Sequence, residues 1–153
     1  MPSLSLASPV GTLTLREDQG ALVALTIGGK EAHDETPLLV RAKEQLLDYF
    51  AGKRRHFELP LAPQGTPFQL ALWRALSAIP YGERRTYGEL AAALGSAARA
   101  VGGACGRNPI PVIIPCHRVV GAGSLGGFSG GEGPATKRKL LALEGSDLFA
   151  RSP

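Results

Sequence analysis

The stretch Leu61-Ala62-Pro63-Gln64-Gly65 separates two parts of the chain that follow different patterns. Before it, apolar residues alternate with the period of two that is typical of strands, and after it they recur at the 3.6-residue spacing of helices. The charge changes at the same place, because residues 1–60 contain seven Lys/Arg and eight Asp/Glu, whereas residues 61–153 contain ten and five. The sequence therefore predicts an α+β fold, with a β-rich lobe at residues 1–62 and a mostly helical domain at residues 63–153.

Length and composition limit the classes of protein that fit. The chain has 153 residues, of which 44% are hydrophobic and 20% charged, enough for one domain or two small lobes around a shared core. A disordered tail and a coiled coil are excluded. No apolar run approaches the roughly 20 residues that a membrane-spanning helix needs, and no secretory signal is recognised. We expect a cytoplasmic protein that does not enter a membrane, with Cys105 and Cys116 as free thiols.

The first part is predicted to be a β-meander covered by one helix. Turn residues separate three short strand-forming runs, at Ser3–Ala7, Thr12–Arg16 and Ala21–Ile27. Thr36 followed by Pro37 is typical of a helix start. This helix is expected to end at Gly52, with an apolar face formed by Leu39, Leu46, Leu47 and Phe50. A further strand is expected at His56–Leu61.

The second part begins with clear helix signals. Thr66-Pro67 repeats the helix-start pattern before an apolar stripe that ends at Ile79, and Thr86-Tyr87-Gly88-Glu89 fits a capping box. Gly95 ends that second helix, and Ser96 can cap a third one that includes Ala97–Ala104. Two short helices around a glycine-containing turn predict a helix-turn-helix.

The third of these helices consists almost entirely of small residues, and Arg99 is the only long side chain near its start. Two interpretations are open. The small side chains can let the helix backbone approach another surface, such as that of a nucleic acid, since the basic excess lies in this part of the chain. Alternatively, the helix packs tightly inside the protein and Arg99 is a solvated surface charge.

The stretch Asn108-Pro109-Ile110-Pro111-Val112-Ile113-Ile114-Pro115 precedes Cys116-His117-Arg118, and its three prolines predict an extended chain. A cysteine nucleophile must be a thiolate, and a thiol is mostly protonated at neutral pH unless a base or a cation is adjacent. His117 and Arg118 are such neighbours. Because successive side chains of an extended chain point to opposite faces, His117 is expected to reach the sulfur only around a bend or through a water. The alternative is that Cys116 is a small buried hydrophobe.

Seven glycines occur in residues 121–133, with Phe128 and Ser129 among them. Such a segment is either a flexible loop or a backbone wall that approaches a flat ligand closely. A helix is predicted from Pro134 to Glu144, ended by Gly145. A carboxylate in the last turn is disfavoured by the helix dipole, so Glu144 is either a solvated side chain or one with a specific partner, such as a histidine that it orients.

The motifs in the second part carry a resemblance to a known family. They are Thr66-Pro67-Phe68-Gln69 with Trp73, Ile79-Pro80-Tyr81-Gly82-Glu83, Thr86-Tyr87-Gly88-Glu89-Leu90-Ala91, Ala98-Arg99-Ala100-Val101-Gly102, Asn108-Pro109, Ile114-Pro115-Cys116-His117-Arg118-Val119 and Ser129-Gly130-Gly131. Together they resemble the O6-alkylguanine-DNA alkyltransferases, the suicide repair proteins also called methylated-DNA-protein-cysteine methyltransferases. The detailed match covers about residues 62–146, and the β-rich lobe is compatible with the family's variable N-terminal domain.

The resemblance implies that Cys116 accepts alkyl groups from O6 of guanine in double-stranded DNA, with O4 of thymine left open. His117 would deprotonate Cys116 through a water, Glu144 would orient His117, and Asn108 would brace the turn that carries the cysteine. The remaining roles concern DNA and the flipped base. Arg99, beside Ala98 and Gly102, would fill the gap left in the duplex when the damaged guanine is flipped out through the minor groove, and Tyr87 would contact that nucleotide and its phosphate. The guanine pocket would be formed by Tyr87, Val119, Phe128 and Ser129. The resemblance implies no cofactor and no metal, and a monomer is expected.

Three features depart from the family pattern. About two fewer residues separate Tyr87 from Arg99, Phe128 stands where tyrosine is frequent, and the N-terminal lobe lacks the cysteines of a structural zinc site. Two other functions fit parts of the sequence. A non-catalytic sensor of alkylated DNA lacks the acceptor cysteine, whereas Cys116 is present, and a cysteine hydrolase using Cys116 and His117 would turn over repeatedly.

Overall fold

A computed structural model describes residues 1–145 and shows an α+β fold, as predicted. Strands β1 (Ser3–Ser8), β2 (Gly11–Asp18) and β3 (Ala21–Ile27) form an antiparallel sheet in the order β1-β2-β3. Leu4 pairs with Leu15, and Leu15 with Leu25, so these alternate side chains share the buried face of the sheet. The predicted meander is confirmed.

Helix α1 (Pro37–Phe50) packs on β1 and β2. The side chain of Thr36 accepts a hydrogen bond from the backbone N–H of Leu39 at 3.1 Å, which is the predicted cap. The apolar face differs from the prediction. It consists of Leu39, Ala42, Leu46 and Tyr49 at helical spacing, whereas Leu47 points outward and is 43% exposed.

The strand predicted at His56–Leu61 does not form. Only Leu61 pairs with the sheet, in an isolated parallel bridge to Leu22. At Glu58, the side-chain amide of Gln45 from α1 takes the place of a neighbouring strand. It accepts from the backbone N–H of Glu58 at 3.0 Å and donates to the Glu58 carbonyl at 3.3 Å, so that backbone needs no ladder partner.

Three more helices build the second part of the chain: α2 (Pro67–Ser77), α3 (Tyr87–Leu94) and α4 (Ala98–Cys105). The predicted capping boxes at Thr66 and Thr86 are both present. Gly95 ends α3 with a φ of 64°, the left-handed conformation that glycine adopts at little cost. The cap of α4 was predicted at Ser96 but lies at Ala97, which has no side chain to cap with.

The three prolines before Cys116 predicted an extended chain, but the residues around Cys116 form a tight turn. Strand β4 (Arg85–Thr86) pairs in parallel with β5 (Val119–Val120), and Cys116–Arg118 form one turn of 3-10 helix directly before β5. The three side chains of that turn therefore fan out instead of alternating between two faces. After the glycine-rich segment, α5 (Pro134–Leu143) ends just before Glu144, so the carboxylate lies at the C-cap and not within the last turn.

The two parts of the chain touch through backbone as well as side chains. The Leu25 N–H of β3 donates to the carbonyl of Pro109 at 2.9 Å, which joins the edge of the sheet to the segment that leads to Cys116. Whether residues 1–62 and 63–153 are separate domains stays a prediction. None of the helices in residues 1–145 is long and apolar enough to cross a membrane.

Candidate active site

Cys116 lies in the 3-10 turn and lines a cavity of about 1130 Å³. Only 7% of the residue is exposed. The turn is held by a hydrogen bond from the Cys116 N–H to the Ile114 carbonyl at 2.8 Å. Asn108 fixes the same segment from both ends, because its side-chain amide donates to the Ile114 carbonyl at 2.8 Å and accepts from the Ile110 N–H at 2.9 Å. The sulfur is thus presented to the cavity by a braced backbone.

The cavity brings together most of the residues that sequence reasoning selected. Its lining includes Asn108 and Cys116, and from the other predicted groups Tyr87, Ala98, Arg99, Gly102, Phe128 and Ser129. Val119 is different, because it is fully buried and does not belong to the lining. The sequence missed one wall, which is the edge of β3 at residues 24–27.

His117 lies behind the cysteine and is completely buried. Its Nε2 is 2.7 Å from Oε2 of Glu144. Because a carboxylate only accepts hydrogen bonds, Nε2 carries the proton and Nδ1 is left as the acceptor nitrogen. Nδ1 is buried and has no hydrogen-bond partner among the described residues. Burial lowers the pKa of His117 against the opposing influence of Glu144, so the ring is neutral and able to accept a proton.

Glu144 is held by three side chains at once. Arg118 donates to its Oε1 at 2.8 Å through Nε and to its Oε2 at 3.0 Å through Nη2, and Tyr49 donates to Oε2 at 2.5 Å. Burial alone would raise the pKa of Glu144, but the hydrogen bonds from His117 and Arg118 and the charge of Arg118 bring it down to about 2. Glu144 therefore has the specific partners that were one of the two predictions for it. They form a buried cluster, and Arg118 is hydrogen-bonded to this carboxylate and not to the thiol of Cys116.

The Cys116 thiol is a weak acid in this state. Burial raises its pKa, while the Asn108 side chain and the charge of Lys137 oppose that rise. Cys116 and His117 share no direct hydrogen bond within residues 1–145. Deprotonation therefore needs a base, and the unpartnered Nδ1 of His117, the next residue in the same turn, is a candidate.

Lys137 is a site residue that sequence reasoning missed. It is fully buried, and its Nζ donates to the carbonyls of Val119 at 2.5 Å and Gly127 at 3.1 Å and lies 3.4 Å from the Tyr87 hydroxyl. Burial lowers its pKa to about 8, although the two cysteines favour the charge. A signal was present in the sequence, because Lys137 has helical spacing to the buried Leu140 and Leu141.

The glycine-rich segment lines the cavity at Gly127, Gly130 and Gly131, and the residue before them, Gly126, packs closely against Tyr87. The φ of Gly126 is 77°, and a Cβ there would lie 2.7 Å from the Tyr87 hydroxyl oxygen and 3.2 Å from Nζ of Lys137. Only glycine permits both the conformation and the approach. The segment therefore packs against Tyr87 and lines the cavity, and its close approach to a flat ligand stays a prediction.

Comparison with known proteins agrees with this geometry. A family model described as "6-O-methylguanine DNA methyltransferase, DNA binding domain" matches residues 67–146. A second, described as the ribonuclease-like domain of the same proteins, matches residues 4–63. The chain belongs to the 6-O-methylguanine DNA methyltransferase family. The resemblance inferred from the motifs is thereby confirmed.

Relatives in this methyltransferase family match along nearly the whole chain. The constitutive methylated-DNA-protein-cysteine methyltransferase of Bacillus subtilis is 45% identical over 90% of this chain and 91% of its own. The protein of that name from Methanosarcina acetivorans is also 45% identical, over 91% and 95%. The crystal structure of Mycobacterium tuberculosis OGT in complex with DNA is similar with a TM-score of 0.86 and 43% identity, covering 96% of this chain and 94% of that one.

The departures from the methyltransferase pattern can now be placed in the structure. The shortened turn consists of residues 95–97, and Arg99 behind it is exposed and still lines the cavity. Phe128 lines the cavity with a ring that has no hydroxyl. Tyr49 was not selected from the sequence at all, because its contact with Glu144 joins residues 95 positions apart.

Proposed function

We propose that the protein removes alkyl groups from O6 of guanine in double-stranded DNA by irreversible transfer to Cys116, one alkyl group per molecule. One observation carries the proposal. A cavity-lining cysteine is followed in the chain by a buried neutral histidine whose far nitrogen is fixed on Glu144 and whose Nδ1 has no partner among the described residues. The relatives named methylated-DNA-protein-cysteine methyltransferases support the same activity.

The chemistry starts with the proton on sulfur. In our proposal, Nδ1 of His117 accepts it through a water, and Glu144 stabilises the imidazolium that results. The thiolate attacks the alkyl carbon, so an S–C bond forms while the C–O6 bond breaks and its electron pair stays on guanine. The departing guanine anion takes a proton from the surrounding water, to which His117 returns the proton it accepted, so the leaving group and the histidine both end neutral. The product is a thioether, which this site has no means to hydrolyse.

A guanine inside a duplex cannot reach the cavity, so the base must be flipped out at a cost of a few kcal/mol. We assign this step to α4. Its Ala98 and Gly102 let the helix backbone approach the minor groove, and Arg99 is exposed at the cavity and long enough to fill the gap in the stack. Tyr87 contacts the flipped nucleotide, and Phe128 and Ser129 cover the base together with backbone near Val119.

Further parts of the proposal concern the organisation of the chain. DNA docks on residues 63–153, which hold the basic excess, while residues 24–27 of β3 form one wall of the cavity. A monomer is proposed as the active form.

Mass spectrometry after incubation with O6-methylguanine duplex tests the function. We expect the mass of one methyl group on Cys116 and none on Cys105. Burial raises the pKa of both thiols, but Cys116 is the one followed directly by a histidine that Glu144 holds. Cys116→Ala must remain unmodified, and Cys105→Ala is the matched control that still reacts. Repeated turnover by limiting protein would indicate a cysteine hydrolase, and duplex binding without any adduct would indicate a sensor.

A further inference from the structure

The carboxylate of Glu144 has one oxygen that serves three donors. Oε2 accepts from the Tyr49 hydroxyl at 2.5 Å, from Nε2 of His117 at 2.7 Å and from Nη2 of Arg118 at 3.0 Å. His117 and Arg118 come from the 3-10 turn, whereas Tyr49 comes from α1 in the first part of the chain. The first part therefore contributes directly to the group that orients His117.

The position of the Tyr49 hydroxyl is fixed by packing. The residue is fully buried, and its ring lies edge-on to Phe50 and Tyr81 at centroid distances of 5.1 and 6.2 Å and tilted against Phe57 at 5.4 Å. A buried tyrosine hydroxyl needs a hydrogen-bond partner, and a backbone carbonyl would satisfy it. The nearby Tyr81 is satisfied in this way, since its hydroxyl donates to the backbone carbonyl of Leu143 at 3.2 Å. Tyr49 instead donates to the charged oxygen that His117 uses.

Competition for that oxygen affects the histidine. Each donor to Oε2 disperses its negative charge, so the oxygen holds a protonated His117 less strongly. The other charged or titratable groups near this pair are Arg118 beside both, Lys137 from α5 and Tyr81, which faces Tyr49. Tyr49 itself stays protonated as a donor, because burial and then Glu144 raise its pKa far above its usual range.

We propose that Tyr49 is a positioning residue for alkyl transfer, which holds the Glu144 carboxylate in place and limits how strongly it draws a proton onto His117. This inference rests on the proposed function, in which His117 must be neutral before it can accept the proton of Cys116. The predicted role is to keep His117 ready as a base at neutral pH.

Tyr49→Phe is the deciding variant, because it removes the hydroxyl and keeps the ring. NMR titration of the His117 ring in the DNA-free protein measures the effect directly, and the exposed His33 and His56 serve as internal references. We expect the His117 midpoint to move upward by roughly half a pH unit or more. The matched control is Tyr81→Phe, which removes the hydroxyl that donates to Leu143 at the end of α5 and leaves the hydrogen bonds of the Glu144 carboxylate unchanged. The His117 midpoint should stay in place in this variant.

The rate of reaction with a free alkylated guanine base gives a second measurement. The acid limb of the pH–rate profile should shift to higher pH in Tyr49→Phe by the same amount as the His117 midpoint. In Tyr81→Phe it should stay in place. A uniform loss of rate without a shift would show a merely structural role, and equal shifts in both variants or a downward shift would also overturn the proposal. If the wild type transfers no alkyl group, the proposed function fails, while the DNA-free titration still decides the role of Tyr49.

One measurement needs no variant. In the wild-type protein, the Tyr49 hydroxyl proton should be protected from exchange and show a through-space contact to the Nε2 proton of His117. Absence of that contact in a folded sample would overturn the proposal even if Tyr49→Phe failed to fold.

Discussion

At the scale of single residues, Glu144 joins the stability of the protein to its chemistry. Its pKa is about 2 in the folded protein and ordinarily 4.5, so it stabilises the fold above pH 4.5, and that contribution is lost as the pH falls from 4.5 toward 2. Glu144→Gln leaves Arg118 buried without its counter-charge and should lower the free energy of unfolding at pH 7 by about 3–5 kcal/mol. Urea unfolding at several pH values should show this difference shrinking below pH 4.5. The matched control is Glu132→Gln, an exposed carboxylate 3.9 Å from Lys139, which should cost less than about 1 kcal/mol. A pH-independent loss at Glu144 would contradict this account.

At the scale of elements, α4 is proposed to open the duplex, and Arg99 is the residue that holds it open. Arg99→Ala should therefore slow repair of duplex DNA about tenfold if the inserted side chain contributes about 1.4 kcal/mol to the flipped state. The reaction with free benzylguanine needs no flipping and should keep its rate. Arg107→Ala is the matched control, since Arg107 is exposed just after α4 and does not line the cavity. Equal slowing on both substrates would place Arg99 in the pocket or the fold, and no slowing on either would make it a surface charge.

At the scale of the whole molecule, residues 61–153 offer fewer cations on the surface than the sequence contains. Arg118 and Lys137 are buried, so they are not available to DNA phosphates. Docking through roughly four of the remaining cations should weaken binding about 10²-fold between 50 and 200 mM salt. Cys116→Ala, which binds without reacting, allows this to be measured by titration of a fluorescent duplex. Affinity that ignored ionic strength would count against this surface as the docking face.

Local signals in the sequence predicted most elements and few of the contacts between them. Thr36, Thr66 and Thr86 act on the backbone three residues away, so their helices could be found from short patterns. The backbone of Glu58, in the strand that did not form, is paired with Gln45 from α1. The 3-10 turn at Cys116 lies next to the pairing of β4 with β5. Neither contact can be found from a local pattern, because each joins separate parts of the chain. The residues around Cys116 were selected by their resemblance to a family. Tyr49 and Lys137 were missed because burial decides their roles, and burial depends on elements far along the chain.

The hydrogen bond between Tyr49 and Glu144 also has a consequence for the order in which the chain assembles. Contacts between residues 95 positions apart form after local helices and hairpins, because closing so long a loop costs chain entropy first. A chain that is still being synthesised and has reached Arg118 holds the thiol and the histidine but not the carboxylate that orients them. The hydrogen bond between His117 and Glu144 can therefore form only after nearly the whole described chain has been synthesised.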